Sequence, residues 1–317
     1  MPRPVSDHPV PADPSPTGAG PVIDLDPAER HGGPRGVEVR CEGVVHLYRT
    51  FAGHDVVALR GIDLTIGAGE RVAFLGPSGC GKSTLLTLLG GIQRPSAGRI
   101  LLGEEEISRM SERRLTRVRS RLVSTMLQGA TRNLLAYATA RQNLAFARLG
   151  GADRDDDHGD GPDLPHPAEL LETVGLADQA DQVVSTMSGG QRQRLALACA
   201  VANGPRLLLA DEPTSALGHV DRELVVELLH RLATDRGTTL VVVTHQAEVA
   251  ATFPRTISML GGRIGSEGRA GSQYAVVGEE GLLHLPTELV ALWPAGTLVR
   301  IEQDDERLVV TREEGAP

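Results

Sequence analysis

The sequence predicts an α/β fold with a mostly parallel core sheet, and three observations carry that prediction. From Val37 to about Gly265, short apolar runs alternate with helix-like segments: RVAFLG at 71–76, LVSTML at 122–127, RLLLAD at 206–211 and TTLVVVTH at 238–245. Runs of this length, separated by helices, are the pattern of a sheet whose strands lie parallel and buried. A glycine-rich segment, GPSGCGKST at 76–84, falls between the first run and the helix-like STLLTLLGGI. Ahead of it, VEVRCEGVVHLY at 37–48 and LRGIDLTI at 59–66 follow one another without a helix, which predicts an antiparallel β subdomain before the core.

The remaining segments follow from composition. Residues 1–36 are crowded with Pro, Gly and Asp, lack hydrophobic periodicity and are expected to form a disordered leader. Residues 37–271 are expected to be the main domain, broken at 152–167 by ADRDDDHGDGPDLPHP, an acidic surface loop. After about Ser272 the short runs QYAVV, LLHL, TLVRI and RLVV, with PTELVALW as a helical turn or two, predict a small separate β-rich unit over 272–317. A chain of 317 residues with 40% hydrophobic residues can build a substantial core. A net charge of -9 with 3% aromatic residues disfavours a nucleic-acid partner. Cys41, Cys80 and Cys199 show neither CxxC nor Cys/His spacing, so reduced thiols are expected rather than disulfides or a zinc site. No stretch resembles a signal peptide or reaches the roughly 18 apolar residues of a spanning helix, and the chain is expected to be cytoplasmic.

The glycine-rich segment carries the first chemistry. Gly76, Pro77, Ser78, Gly79, Cys80, Gly81, Lys82, Ser83 and Thr84 match G-x-x-x-x-G-K-[ST] between a strand and a helix. Glycines let successive backbone N–H groups face phosphate oxygens, and the helix N-terminus adds favourable partial charge. Lys82, the one lysine among 32 basic residues, would contact the β- and γ-phosphates of ATP, and Ser83 would bind Mg²⁺. RLLLADEP at 206–213 is an apolar strand ending in adjacent acids. There Asp211 would hold Mg²⁺, and Glu212 would point at the γ-phosphate and polarise the attacking water.

Between these motifs lies Met187-Ser188-Gly189-Gly190-Gln191-Arg192-Gln193-Arg194, which resembles the signature of ABC-type ATPases and opens the helix-like LALACAVANGP. The resemblance covers residues 37–265 and implies a P-loop NTPase fold with a helical signature subdomain. It also implies roles. Gln128 resembles the Q-loop glutamine, placed at the metal and in catalysis, His245 the switch histidine that would contact the γ-phosphate, and Tyr48 the aromatic that stacks on adenine. In this family two subunits face head to tail, so Ser188, Gly189, Gly190 and Gln191 of one would complete the ATP site of the other, implying a homodimer. STLLTLLGGIQRPSAGRILLGEEEISRMSERRLTRVR at 83–119 is similar to the lipoprotein-release and macrolide-exporter branch. That branch implies a transmembrane permease partner with a large extracytoplasmic domain, and hence a subunit held at the inner face of the membrane.

Three departures stand out. Met187 replaces the usual Leu, a swap that nearly conserves volume. Ser215-Ala216-Leu217-Gly218 resembles the D-loop but has Gly where the family places Asp. GATRNLLAYATARQNL after Gln128 departs from the usual continuation of a segment that contacts the permease. An alternative function, a regulatory nucleotide sensor with low hydrolysis and an interaction tail, is opposed by Glu212 and His245 and favoured by Gly218. The tail resembles the AbrB-like swapped-hairpin fold through GLLHLPTEL at 281–289, PAGTLVRI at 294–301 and a final RLVV. AbrB-like units dimerise and often bind DNA, but over 272–313 only Arg300, Arg307 and Arg312 face a larger number of acids, so a protein-interaction role is expected.

Overall fold

The computed structural model describes residues 35–49, 53–149, 164, 166–215, 217–269, 272–275, 297, 299–304 and 307–312. Residues 1–34 of the expected leader, most of the acidic loop, and the LLHL and PTELVALW segments therefore lie outside the described residues, while the carbonyls of Arg35 and Gly36 accept from Arg206.

An antiparallel sheet comes first. β1 (Val39–Arg49) pairs with β2 (Asp55–Ile66), from Val39 opposite Ile66 to Arg49 opposite Asp55. The other edge of β1 pairs with β4 (Ala97–Leu102), which turns into the two-residue β5 (Glu105–Glu106), so the sheet runs β2-β1-β4-β5. Its inward side is lined by Val39, Cys41, Leu59, Ile62, Leu64, Ile66, Ile100 and Leu102, all buried.

The core is a seven-stranded sheet in the order β11-β10-β9-β3-β8-β7-β6. β3 (Arg71–Leu75), β6 (Val123–Met126), β7 (Leu207–Asp211), β8 (Thr239–Thr244) and β9 (Arg255–Leu260) are mutually parallel. Every residue of β7 and β8 is buried, as expected of parallel strands covered on both faces. Alternation sorts their side chains into two cores. Leu207, Leu209, Val241 and Val243 join the cluster under the antiparallel sheet. Leu208, Ala210, Leu240 and Val242 join the cluster under the helices.

β10 (Arg263–Arg269) and β11 (Ser272–Ala275) extend this sheet in antiparallel fashion, with Glu267 opposite Tyr274. The boundary expected after residue 271 therefore falls inside a hairpin of the core sheet. The QYAVV run marks a strand here, but which sheet a strand joins is a long-range choice that the run does not state. β12 (Val299–Asp304) and β13 (Arg307–Arg312) pair as a separate antiparallel hairpin at the expected TLVRI and RLVV positions.

Helices α1 (Lys82–Leu89), α2 (Glu112–Leu122), α3 (Ala140–Leu149), α4 (Pro167–Thr173), α5 (Gly189–Val201), α6 (His219–Arg236) and α7 (Ala247–Ala251) complete the fold. α4 starts at a capping box between His166 and Glu169 with Pro167 in its first turn, where the missing N–H is harmless. Leu144, Leu170, Leu171, Val174, Val184 and Leu195 pack α3, α4 and α5 into a helical layer around the signature. No helix among the described residues is long and apolar enough to cross a membrane.

Candidate functional site

Parallel register brings the motif residues to one edge of the core sheet. Leu75 of β3 lies opposite Thr244 of β8, and Val243 of β8 opposite Asp211 of β7. The loop after β3, the acids ending β7 and the histidine after β8 thus share one carboxyl edge, where open α/β sheets place their ligands.

The loop at 76–84 is shaped by close approach and by left-handed backbone. A Cβ on Gly76 would lie 2.3 Å from the carbonyl oxygen of Met259, so only glycine fits against β9. Gly81, at φ 103°, is the N-cap of α1 and accepts a 2.9 Å hydrogen bond from Leu85 N–H. Lys82 is buried, and its Nζ donates to the carbonyls of Gly76 at 2.6 Å and Pro77 at 2.9 Å, with Cys80 Sγ at 3.8 Å. Pro77, Ser78 and Gly79 form the exposed rim. Ser83 Oγ donates to Asp211 Oδ1 at 3.0 Å. Burial holds the Asp211 carboxyl above its ordinary value, and that hydrogen bond together with the charges of Lys82 and Arg132 works against the shift.

Glu212 is the one non-glycine residue with positive φ among the described residues, at 47°. Its backbone N–H donates to Val243 O at 2.9 Å, which fixes the turn out of β7. Its Oε1 lies 2.8 Å from His245 Nδ1, while its Oε2 is buried without a hydrogen-bond partner among the described residues. A left-handed glutamate with an unsatisfied oxygen costs free energy, and such strain persists where the surrounding structure holds it for use.

Tyr48, at the end of β1, places its hydroxyl 2.9 Å from Gln93 Oε1 and 3.3 Å from Thr84 Oγ1, which ties it to α1. The edge of the His46 ring meets it at 4.7 Å, and the Tyr48 ring stays partly exposed. Gln128 follows β6, whose Met126 lies opposite Ala210, so it sits level with Glu212 on the next strand and is exposed. Asn133 closes the loop behind it, accepting from Leu127 N–H at 2.8 Å and donating to Leu127 O at 2.8 Å and Gly129 O at 3.1 Å.

Ser188 caps α5 and forms a reciprocal box with Gln191: Gln191 N–H donates to Ser188 Oγ at 3.1 Å, and Ser188 N–H to Gln191 Oε1 at 2.8 Å. Gly189 is exposed. Gly190 is buried against the Asp221 carboxylate of α6, all of whose heavy atoms would lie 2.5 Å from a Cβ there. Among the described residues no hydrogen bond joins these four signature residues to the loop at 76–84. The fold gathers Tyr48, Lys82, Ser83, Thr84, Asp211, Glu212 and His245 on one site, puts Gln128 beside it and sets the signature apart.

Sequence reasoning missed Asn133, Gln93, Asp221 and Gln193. Gln193 is the one with a readable signal, a polar residue on the same buried helix stripe as Gly190, Leu197 and Val201.

A groove of about 660 Å³ opens between α2, the segment after β6, α3 and α5. Among the described residues Arg119 and Arg132 are its charged lining residues, and Ile92 and Phe146 add exposed apolar surface.

The family described as ABC transporter matches residues 59–215. A lipoprotein-releasing system ATP-binding protein, LolD 1 of Rhodopseudomonas palustris, is 35% identical over 229 residues, covering 71% of this chain and 97% of that protein. The macrolide export ATP-binding/permease protein MacB of Rhodopirellula baltica is 39% identical over 231 residues, which are 73% of this chain and 33% of MacB. Among solved structures, the dimeric post-hydrolysis state of the ATP-binding cassette MJ0796 bound to ADP and Pi matches with a TM-score of 0.64 at 31% identity, covering 73% of this chain and 98% of that one. With the glycine-rich loop, the strand-end acids and the capped signature helix in one fold, the chain belongs to the ABC transporter family as an ATP-binding and ATP-hydrolysing cassette.

Proposed function

We propose that two copies of this chain close head to tail around two ATP molecules and drive a separate membrane permease with a large extracytoplasmic domain, from the inner face of the membrane. The ATPase domain runs from Val37 through Ala275, and the tail beyond it serves protein interaction. The buried Glu212–His245 pair, with Glu212 Oε2 left unpartnered beside the phosphate loop, carries the reading.

Each role follows from position. Tyr48 offers its ring to adenine. The backbone N–H groups of 76–84 wrap the phosphates, and Lys82 trades the Gly76 and Pro77 carbonyls for the β- and γ-phosphate oxygens. Ser83 and Asp211 supply hard oxygen donors already within hydrogen-bond distance of one another, which suits Mg²⁺, and Gln128 reaches the same ion. When bound, Mg²⁺ neutralises charge on the triphosphate. Glu212 Oε2 takes a proton from water as the water oxygen bonds to the γ-phosphorus and the bond to ADP breaks. His245 Nδ1 holds Glu212 Oε1, which leaves Nε2 free to face the γ-phosphate. Ser188, Gly189, Gly190 and Gln191 of the second copy present the N-terminus of α5 to that phosphate.

The lipoprotein-releasing and macrolide-export relatives support the permease branch, and the groove at Arg119, Arg132 and Phe146 is where the permease's cytoplasmic segment docks. Glu212→Gln tests the centre of the proposal. Hydrolysis should fall by about 10²- to 10⁴-fold. ATP should still bind, and size-exclusion chromatography should show an ATP-dependent shift from monomer to dimer. A variant that stays monomeric at saturating ATP would contradict the head-to-tail arrangement.

A further inference from the structure

We infer that Gln193 is a positioning residue that ties the signature helix to the strained backbone of Glu212 in the same subunit, so that movement of α5 is felt at the hydrolytic glutamate. The inference rests on the assignment of Glu212 as the general base.

Three observations support the link. Gln193 is buried, and its side-chain Nε2 donates to the carbonyl of Pro213, the residue directly after Glu212. That carbonyl belongs to the turn in which Glu212 adopts φ 47°, a conformation that survives only where contacts on both sides hold it. On one side Glu212 N–H bonds to Val243 O; on the other, Ser215 N–H closes onto Glu212 O at 3.1 Å and Thr214 Oγ1 reaches Gln246 Oε1 at 3.4 Å, next to His245. Gln193 is the contact that reaches this turn from α5.

The neighbours of Gln193 point elsewhere. Arg192 Nη1 bonds back to Met187 O at 2.6 Å, at the start of the signature. Arg194 Nη1 bonds to Val174 O at 2.6 Å and Gly175 O at 3.0 Å, at the end of α4. One turn of helix thus grips the signature loop, the helical layer and the hydrolytic turn together. Its capped end, Ser188 to Gln191, lies less than two turns away. A phosphate or a partner surface that shifts that end moves the Pro213 carbonyl, and with it the Oε2 of Glu212. This route needs no carboxylate at position 218, where the chain has glycine.

The test uses the full chain with Gln193→Met, close in volume but without a donor, and Gln193→Glu. For Gln193→Met, kcat should fall about tenfold while affinity for a fluorescent ATP analogue stays within about twofold. The Hill coefficient for ATP should move toward one. Gln193→Glu should be slow at pH 8, where an ionised carboxylate faces the Pro213 carbonyl. Its rate relative to the unaltered chain should recover as pH falls and the protonated carboxyl regains a donor. That relative pH profile separates positioning from packing, and it decides the matter even if the methionine variant folds poorly. Unchanged kcat in Gln193→Met, or a uniform loss in both variants with no pH-dependent recovery, overturns the inference. Glu212→Gln run in parallel keeps the two claims apart: normal turnover there removes the general-base assignment and the inference together, whereas a dead Glu212→Gln beside a normal Gln193→Met removes the inference alone.

Discussion

The phosphate edge and the signature end are built in opposite ways. At the phosphate edge Lys82, Asp211 and Glu212 are buried; Lys82 is held by the carbonyls of its own loop, Ser83 by Asp211, and Glu212 by His245. At the signature end Ser188 and Gln191 bond to each other, and Ser188 and Gly189 face solvent. One half-site is preorganised by the subunit's own fold. The other is a capped helix N-terminus waiting on an anion that its own subunit does not present by hydrogen bond. If two copies close head to tail as proposed, a molecule built this way would bind nucleotide alone and hydrolyse it in company.

Changes at the two ends should therefore fail differently. Lys82→Ala removes the only side-chain cation of the loop and should abolish hydrolysis, with at least a 10²- to 10³-fold loss, about what a single missing transition-state donor costs. ATP binding should weaken too, which a filter-binding or fluorescence titration would register. Near-normal turnover would break the comparison at its stronger half.

Gly190→Ala acts at the other end. The added methyl would lie 2.5 Å from the Asp221 carboxylate, so the Asp221 side chain must leave this position or the first turn of α5 must shift. Nucleotide binding to the monomer should stay within about twofold, while ATP-dependent dimerisation weakens by about tenfold or more, a cost in line with overpacking. Asp221→Ala in the same chain should return part of the loss, because it vacates the space. If ATP binding and dimerisation fall together, the two half-sites are not separable and the comparison is wrong.

The same contrast explains what was legible in the sequence. The phosphate loop and the strand-end acids Asp211 and Glu212 could be proposed from short motifs beside hydrophobic strands, whereas His245 came only from the family resemblance. The antiparallel β1–β2 pair was legible from two successive apolar runs with no helix between them, whereas β4 and β5 joining that sheet after α1 was not, since a strand's neighbour is a long-range choice. The QYAVV strand was read but assigned to a separate unit, because its pairing with β10 is not written in the run itself. Gln193 and Asp221 escaped for another reason: their partners, Pro213 and Gly190, are distant in sequence, and nothing local in a glutamine or an aspartate names its partner.

The smallest expected effect is at Gly218, and it separates local chemistry from communication between the sites. Gly218 is the N-cap of α6 at φ -65° and ψ 167°, a conformation open to any residue, and it makes no side-chain cap hydrogen bond. Among the described residues nothing lies within 4 Å of where a Cβ would be. Gly218→Asp should therefore fit without strain and, because aspartate caps a helix slightly better than glycine, stabilise the fold by on the order of a few tenths of a kcal/mol. Thermal melting of the monomer should rise by about 1 °C. Gly218→Asn supplies the same cap without the charge, so it should match that shift. If the family's carboxylate also couples the two sites, only the aspartate variant should change the ATPase rate or its Hill coefficient, in the isolated subunit and without permease. Equal melting shifts with unchanged kinetics in both variants would make position 218 a helix cap and nothing more, and would leave coupling to α5.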